Sequence, residues 1–182
     1  MKVIPKKILG TFEIIPNVYL DDRGCFYEIF RKDKYETALG IEIDIVQLNY
    51  SKSNFGVVRG LHFQKKFPQA KLVKVNKGKI FDVVVDLRKN SKTYLQWDSI
   101  ILEANKRNQF WVPQGLAHGF LSLEENTEVE YLCTDIYRPE DEECLKWDDN
   151  SINIEWPVPM TQVTLSKKDL KGKALSEIID EK

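Results

Sequence analysis

His62 and His118 are the only imidazoles among the 182 residues of the chain, and His62 is the stronger candidate for acid–base chemistry. It lies between Leu61 and Phe63, and apolar neighbours disfavour the charged imidazolium. A neutral imidazole can accept a proton, so this position predicts a general base. The same neighbours also fit a core histidine whose only role is a hydrogen bond.

Cationic side chains accompany His62 along a predicted strand, residues 56–64. Strict alternation would place Arg59 and His62 on opposite faces, because they are an odd number of positions apart. Gly60 permits a β-bulge that would bring both side chains to one face. Lys71, at the start of the next predicted strand, adds a second cation. We therefore predict that this strand forms the floor of a polar site.

Polar residues in other segments extend the candidate site. In Pro113–Phe120, a proline and two glycines bend the backbone tightly around His118, which fits either a structural or a ligand-binding histidine.

Gln47 and Asn49 lie on one face of a predicted strand, residues 41–49. Two amides on one face suit the recognition of a base or a sugar.

Composition and charge limit the class of protein. Apolar residues make up 42% of the chain and charged residues 30%, the balance of one soluble globular domain over residues 1–182. The formal net charge of -1 supplies no positive field for nucleic acid, and no apolar run suits a signal peptide or a membrane span. Cys25, Cys133 and Cys144 are odd in number and widely spaced, so we predict a reduced, cytoplasmic protein.

Short segments of β-branched and aromatic residues, separated by turns, predict a β-sandwich or barrel. The predicted strands cover residues 12–15, 25–30, 41–49, 56–64, 71–75, 79–88, 94–102, 109–113 and 128–133. The first of them, residues 12–15, is predicted to lie at the edge of a sheet. A helix is predicted over residues 33–39, with Asp33 as the N-cap and Gly40 at its end. Two short helices are predicted in the tail, on either side of Gly172.

Taken together, these segments resemble the dTDP-4-dehydrorhamnose 3,5-epimerases, a cupin-type β-barrel family of nucleotide-sugar and cell-surface polysaccharide synthesis. The likeness covers nearly the whole chain and consists of motifs that follow one another in the family's order. These motifs are Asp22-Arg23-Gly24, Arg59–Gln64, Lys71–Val73, Asp82–Arg88, Trp111–Phe120, Lys146–Asp149 and Leu165–Asp169.

The resemblance implies a mainly β fold, a cupin-type double-stranded β-helix or jelly-roll barrel with a few short peripheral helices. It implies 3,5-epimerisation of dTDP-4-dehydro-6-deoxy-D-glucose to dTDP-4-dehydro-L-rhamnose in dTDP-rhamnose biosynthesis. No cofactor is expected, because the substrate already contains the ketone. The resemblance also implies a homodimer whose N-terminal strands complete each other's sheets, with no nucleic-acid or membrane partner.

Four residues receive catalytic roles from this resemblance. His62 is the implied base and Tyr131 the acid, with Asp169 orienting the imidazole and Lys71 near the keto oxygen. These roles make chemical sense, because epimerisation beside a ketone removes a proton from one face and returns one to the other. Ser166 and Asp169 also match a helix capping box, which is a purely structural account of Asp169.

The resemblance also implies which side chains bind the nucleotide. Tyr137 matches the aromatic residue that stacks on thymine, and Lys168 is preferred to Lys167 because it adjoins Asp169. Arginine suits the diphosphate through paired hydrogen bonds. The implied nucleotide-holding residues are Arg23, Arg59 and Lys168, and the other implied lining residues are Glu28, Gln47, Asn49, His118 and Glu142.

Three further functions compete with the dual epimerase. The segment from Pro113 to His118 also resembles the second cupin motif, whose usual members bind a metal with three histidines and a glutamate. Two histidines cannot build that set, so we predict a metal-independent enzyme rather than a metal-dependent sugar isomerase. The remaining two functions are an epimerase of a different nucleotide-4-keto sugar or of a single carbon, and a non-catalytic sugar-binding cupin.

Overall fold

The computed structural model describes residues 1–180 as two antiparallel sheets, a separate hairpin and short helices. The strands are β1 (Lys2–Pro5), β2 (Phe12–Ile15), β3 (Tyr19–Asp21), β4 (Gly24–Phe26), β5 (Gln47–Ser53), β6 (Val58–Gln64), β7 (Lys71–Lys77), β8 (Lys79–Asp86), β9 (Trp97–Glu103), β10 (Gln109–Val112), β11 (Leu116–Ser122), β12 (Thr127–Cys133) and β13 (Glu142–Cys144). The helices are α1 (Lys32–Leu39), α2 (Leu175–Asp180) and two 3₁₀ helices, Met160–Gln162 and Asp169–Lys171. Within residues 1–180, no helix has both the length and the apolar character needed to cross a membrane.

The two sheets face each other across the main core. One has the strand order β1-β2-β10-β7-β12-β5, and the other has β13-β6-β11-β8-β9. β-Branched residues favour the extended backbone, and here they also fill the space between the sheets. Val73 and Val129 of the first sheet share a buried cluster with Val84 and Phe120 of the second. The predicted mainly β, cupin-type jelly-roll barrel with peripheral helices is confirmed.

Three details of the predicted strands are wrong, each because of contacts with another segment. β2 is not at an edge, because β1 pairs along its outer side. Residues 41–46 form no strand, and the backbone N–H of Ile43 donates to Glu36 Oε1 of α1 at 2.9 Å. The predicted strand over residues 25–30 ends at Phe26, because β4 pairs only with β3 in the separate hairpin.

Helix α1 ends where predicted but begins earlier. Gly40 has a φ of 67°, and its N–H donates to the carbonyl oxygen of Glu36 at 2.8 Å. The predicted N-cap is wrong: the N-cap residue is Arg31, whose guanidinium pairs with Asp33 at 2.8 Å. Asp33 lies in the first turn, where its negative charge interacts favourably with the positive end of the helix dipole. In the tail, the two short helices lie on either side of Gly172, as predicted.

A bulge at Gly60 gives β6 two polar side chains on one face, as predicted. In the pairing of β6 with β11, His62 lies opposite His118, and Arg59 lies opposite Phe120, so β6 has one extra residue. Gly60 has a φ of 108°, and a Cβ there would lie 2.7 Å from the His118 carbonyl oxygen. Glycine alone fits this position, and the extra residue lets Arg59 and His62 line the same cavity.

Asp86, the last residue of β8, holds the loop that follows it. Its side chain is fully buried and accepts hydrogen bonds from Arg88 Nε at 2.8 Å and from Ser91 Oγ and Thr93 Oγ1 at 2.6 Å. Burial alone would raise the pKa of Asp86, but these hydrogen bonds outweigh it and lower the pKa from 3.8 to about 2. The ionised carboxylate therefore stabilises the folded chain at neutral pH.

Replacing Asp86 with asparagine is expected to lower the free energy of unfolding by roughly 2 kcal/mol at pH 7, the energy that matches this change in pKa. Because the folded-state pKa is lowered, the contribution is complete above pH 3.8 and is lost as the pH falls through about 2. Urea denaturation at pH 7 and at acidic pH measures both effects. Asp44→Asn, at an exposed position, is the control. Equal stability of Asp86→Asn and wild type at pH 7 would contradict the prediction.

Candidate active site

A cavity of about 360 Å³ contains most of the predicted site residues. Strands of both sheets and the C-terminal tail contribute to it. A larger groove of about 1070 Å³ lies beside α1, but the described residues that line it include neither histidine nor tyrosine. We therefore take the smaller cavity as the candidate active site. Its lining consists of Gln47, Asn49, Arg59, His62, Gln69, Lys71, His118, Gly119, Phe120, Tyr131, Tyr137, Glu142, Ser166, Lys168 and Asp169.

His62 and Asp169 form a hydrogen-bonded pair in this cavity. Nε2 of His62 lies 2.6 Å from Oδ1 of Asp169, which is 107 positions later in the chain. Burial alone would raise the pKa of Asp169, but hydrogen bonds from His62 and Ser166 outweigh it and lower the pKa. The ionised carboxylate accepts the Nε2–H hydrogen, so Nδ1 carries the lone pair that can accept a proton.

Ser166 bonds to Asp169, but the predicted capping box is wrong in detail, because the N-cap of this 3₁₀ helix is Lys168. The backbone N–H of Asp169 donates to Ser166 Oγ at 3.0 Å, and this hydroxyl donates to Asp169 Oδ2 at 2.9 Å. The other carboxylate oxygen, Oδ1, remains for His62. The structural and the functional interpretations of Asp169 are therefore compatible, because the same turn fixes the carboxylate that orients the imidazole.

Tyr131 reaches the cavity from the sheet opposite to that of His62. It lies on β12 of the six-stranded sheet, whereas His62 lies on β6 of the five-stranded sheet. Burial raises the pKa of Tyr131, the nearby Cys133 adds to this effect, and Arg59 opposes it. The phenol is therefore protonated at neutral pH and can donate a proton. The two rings share one cavity, as an acid and a base for the same substrate must.

Lys71, His118 and the buried Asp82 form a cluster of titratable side chains at the cavity wall. Nε2 of His118 lies 2.9 Å from Oδ1 of Asp82, and Oδ2 of Asp82 has no hydrogen-bond partner within the described part of the chain. Burial lowers the pKa of Lys71, whereas Cys133 and Asp82 oppose that effect. Burial also raises the pKa of Asp82, and His118 and Lys71 oppose that effect. Asp82 and Lys71 therefore each counteract the effect of burial on the other.

The amides of Gln47 and Asn49 lie on one face, as predicted. Gln47 Nε2 donates to Asn49 Oδ1 at 2.8 Å, and Gln47 Oε1 accepts the backbone N–H of Tyr137 at 2.8 Å. Arg59 is held at the cavity by a hydrogen bond from its Nε to Ser53 Oγ at 3.0 Å. These contacts place amide, aromatic and guanidinium groups close together around one opening.

Lys168 rather than Lys167 lines the cavity. Its ammonium forms an ion pair with Glu142 and lies 3.2 Å from Tyr137 Oη. Tyr137 Oη in turn donates to Glu142 Oε2 at 2.9 Å. A cation, a carboxylate and an aromatic ring therefore form one connected group, in which Tyr137 remains partly exposed.

Arg23 and Glu28 are the two predicted site residues that lie outside the cavity of the single chain. The side chain of Arg23, at the turn between β3 and β4, is 89% exposed and pairs with Asp21 at 2.6 Å. Glu28 forms ion pairs with Lys34 and Arg31. Neither side chain therefore lines this cavity in the single chain.

Gln69 and Asp82 received no role in the sequence analysis, and Ser166 received only the structural role of helix capping. Ser166 had a signal in its capping-box spacing. Asp82 also had one, because it shares the alternation of Ile80 and Val84, which face the main core, and an acidic residue at such a position requires a partner. No sequence signal indicated Gln69, because it lies in a loop that reaches the cavity only when the chain is folded.

One group of side chains in the described residues brings three metal-binding atoms together. His62, Cys144 and Asp169 each offer one such atom, and these atoms lie within 4.8 Å of one another. The other histidine, His118, is bound to Asp82 instead. The arrangement differs from the set of three histidines and a glutamate that cupin-type metal sites use.

Comparison with known proteins gives consistent matches to one family. The family model for dTDP-4-dehydrorhamnose 3,5-epimerase matches residues 5–177. The dTDP-4-dehydrorhamnose 3,5-epimerase of Methanothermobacter thermautotrophicus is 45% identical over 97% of this chain and 95% of its own length. The crystal structure of the enzyme of that name from Elizabethkingia anophelis superposes with a TM-score of 0.94 at 40% identity, covering 97% of both chains. The RmlC epimerase of Legionella pneumophila, in complex with dTDP-4-keto-L-rhamnose, has a TM-score of 0.94 at 44% identity over 97% of this chain and 94% of that one.

Proposed function

This chain belongs to the dTDP-4-dehydrorhamnose 3,5-epimerase family, and we propose that it inverts carbons 3 and 5 of dTDP-4-dehydro-6-deoxy-D-glucose to give dTDP-4-dehydro-L-rhamnose. The 4-keto group acidifies the C–H bonds on both sides of it, so each inversion is a deprotonation followed by reprotonation. One observation carries the proposal: a carboxylate-paired imidazole and a protonated phenol enter one cavity from opposite sheets.

His62 is the base in this mechanism. Its Nδ1 removes the proton beside the ketone, and the electron pair of that C–H bond moves into an enolate. Asp169 holds the Nε2–H hydrogen, which fixes the tautomer, and its charge stabilises the imidazolium that forms. Because Asp169 is 4% exposed, its charge is little screened by water.

Tyr131 is the acid. Its phenol donates a proton to the carbon from the face opposite to His62, which inverts the configuration, and the phenolate regains a proton from solvent. Burial raises the pKa of Tyr131, so the neutral donor is present throughout the neutral range. The proton on His62 also exchanges with solvent, and the enzyme returns to its starting state after each inversion.

Lys71 stabilises the enolate. The negative charge of this intermediate concentrates on the 4-keto oxygen, and a cation already fixed at that point lowers the barrier most effectively. Asp82 acts through Lys71 and His118, because it opposes the effect of burial on the pKa of Lys71 and its Oδ1 orients the His118 ring. Asp82 is therefore a positioning residue.

The nucleotide lies toward the partly exposed side of the cavity in this proposal. Tyr137 stacks on the thymine ring, and Arg59 and Lys168 bind the diphosphate. Lys168 becomes available when the phosphates replace Glu142 as its partner. The other polar residues that line the site are Gln47, Asn49, His118 and Glu142.

We further infer that the active form is a homodimer in which Arg23 and Glu28 reach the cavity of the partner subunit. The β3–β4 hairpin that carries Arg23 exposes Leu20 at 76% and Phe26 at 68%, and it pairs with neither main sheet. An apolar hairpin of this kind is stabilised by burial against a second chain. A homodimer in which N-terminal strands complete the partner's sheets would provide that burial.

Mixing two inactive variants tests whether Arg23 acts across the dimer. His62→Asn lacks the base and Arg23→Ala lacks the diphosphate contact, so each alone is expected to have little activity. In a mixed dimer, the wild-type His62 of one chain meets the wild-type Arg23 of the other. Refolding a 1:1 mixture is expected to restore up to about a quarter of the wild-type rate. No recovery in a sample that contains mixed dimers would show that Arg23 does not act on the partner's site.

Deuterium incorporation tests the function itself. In D₂O, the enzyme is expected to incorporate deuterium at both C3 and C5 of dTDP-4-keto-6-deoxyglucose, and a following reductase should consume the product. NMR of the recovered sugar identifies the exchanged positions. Exchange at only one carbon would favour a single-carbon epimerase. Binding without exchange at either carbon would favour a sugar-binding cupin.

A further inference from the structure

We propose that one thiophilic divalent cation, such as Cd²⁺ or Zn²⁺, binds at the edge of this cavity through His62 Nε2 and Asp169 Oδ1, which line it, and through Sγ of the buried Cys144, which does not. The cation is an inhibitor rather than a cofactor, because it occupies the groups that the proton transfer uses. Cys144 has no part in the epimerase mechanism. Its position beside the base is therefore the feature that the proposed epimerase activity leaves unexplained.

The backbone holds the thiol beside the imidazole. Cys144 on β13 lies directly opposite His62 on β6, and adjacent antiparallel strands keep such pairs in contact. Asp169 reaches the pair from the 3₁₀ helix, with its Oδ1 at 2.6 Å from His62 Nε2 and 4.0 Å from Cys144 Sγ. A ring nitrogen, a thiol sulfur and a carboxylate oxygen thus come from three separate elements and converge on one point.

The separations are close to those of a tetrahedral site. Bonds of about 2.0 to 2.3 Å from zinc to nitrogen, oxygen and sulfur place neighbouring ligand atoms roughly 3.3 to 3.7 Å apart. The imidazole nitrogen and the carboxylate oxygen, 2.6 Å apart, must therefore separate by roughly 1 Å. The thiol sulfur, 4.0 Å from that oxygen and within 4.8 Å of the nitrogen, must approach both atoms. His62 and Asp169 line the cavity, so a cation held between them can take its fourth ligand from that side.

One of these ligands already has an outer partner, and a carboxylate lies near a second. Metal-bound histidines usually donate their second ring N–H to a carboxylate, and Glu142 Oε1, 3.8 Å from Nδ1 of His62, would have to move closer to accept it. Ser166 Oγ donates to Oδ2 of Asp169 at 2.9 Å and leaves Oδ1 for the cation. A group of ligands with such support binds a cation better than three isolated side chains would.

Charge and protons balance in the bound state. The cation carries two positive charges, and the Cys144 thiolate and the Asp169 carboxylate carry one negative charge each. The thiol proton is released to solvent when the metal–sulfur bond forms. His62 remains neutral, because its ring proton moves from Nε2 to Nδ1 and faces Glu142. The first ligand shell is therefore neutral, which suits a partly buried position.

Absorption titration with Cd²⁺ alone tests the proposal without substrate. The chain has three cysteines, so the Cys25→Ser/Cys133→Ser variant retains Cys144 as its only thiol. We expect this variant to bind about one Cd²⁺ with an ultraviolet thiolate-to-metal charge-transfer band, because cadmium prefers soft thiolate ligands. Absence of the band in this variant, shown by circular dichroism to be folded, would overturn the proposal.

Two further variants locate the other ligands. Cys25→Ser/Cys144→Ser keeps Cys133, which is also buried, and is the matched control; we expect it to lose the band and to bind Cd²⁺ at least about 100-fold more weakly. Ser166→Ala in the Cys144-only background should weaken binding by about 10-fold, the usual cost of losing an outer partner. Undiminished binding after removal of Cys144 would assign the cation to another site.

The test of inhibition by Cd²⁺ rests on the proposed epimerase activity. Cd²⁺ should inhibit turnover of the Cys144-only variant at the concentrations that produce the band, and the Cys25→Ser/Cys144→Ser variant should resist at least about 100-fold more Cd²⁺. The band without turnover in the metal-free protein would refute the proposed function and leave the cation site standing. Turnover that continues while the band is saturated would refute the inhibitory role.

Discussion

Replacing His62 with asparagine is expected to lower kcat by about a thousand-fold, within the range that a positioned general base contributes. Asparagine keeps a polar side chain that can hydrogen-bond Asp169, but it has no lone pair basic enough to remove a carbon-bound proton. Deuterium incorporation at C3 and C5 should fall by the same factor, because both inversions begin with deprotonation. Proton NMR in D₂O measures exchange and epimer formation in one sample.

A dTDP-binding measurement shows whether the loss of activity in His62→Asn comes from the missing base or from misfolding. The dissociation constant of dTDP for His62→Asn should stay within about three-fold of the wild-type value, because the residues proposed to hold the nucleotide are unchanged. Calorimetric titration with dTDP measures it. Exchange at the wild-type rate in a variant that still binds dTDP would remove His62 from the role of base.

Replacing Tyr131 with phenylalanine is expected to separate exchange from inversion. The variant retains His62, so it can still remove a proton and return deuterium to the same face, and exchange should stay within about ten-fold of wild type. Formation of the epimer requires a donor on the opposite face and should fall by about a hundred-fold or more. The ratio of deuterated starting sugar to epimer, followed by NMR, measures the separation.

Tyr50→Phe is the matched control for this experiment. Tyr50 lies on β5, a neighbour of β12, and its side chain is exposed rather than turned into the cavity. It should exchange and epimerise at wild-type rates. Equal loss of exchange and inversion in Tyr131→Phe would indicate that this tyrosine contributes to deprotonation instead of acting as the opposite acid.

The fold was predicted best where short-range rules control it. Alternating β-branched residues predicted most strands, and Gly40 and Gly60 predicted a helix end and a bulge, because glycine adopts positive φ angles with the least strain. β1, β3, β11 and β13 were not predicted. The predicted tight bend around His118 was wrong, because Leu116–Ser122 is a strand paired with β6 and β8. Whether a short segment becomes a strand depends on which other strand lies beside it, and that partner cannot be read from the segment itself.

The candidate site was predicted residue by residue with help from the family motifs, but its connections were not. The sequence did not indicate that His118 is bound to Asp82, or that Cys144 lies opposite His62. It also gave no sign that Arg23 would lie outside the cavity of its own chain. Such facts follow from the packing of the two sheets and the tail.

By itself, the sequence determined the chemical groups and their local geometry: an imidazole on a bulged strand, two amides on one face, and a phenol on a later strand. Only the tertiary structure decided which of these groups meet. His62 and Asp169 are 107 positions apart and touch because the tail folds back over β6. Backbone angles and alternation act over a few residues, whereas contacts between distant segments are selected by burial and hydrogen bonding across the whole domain.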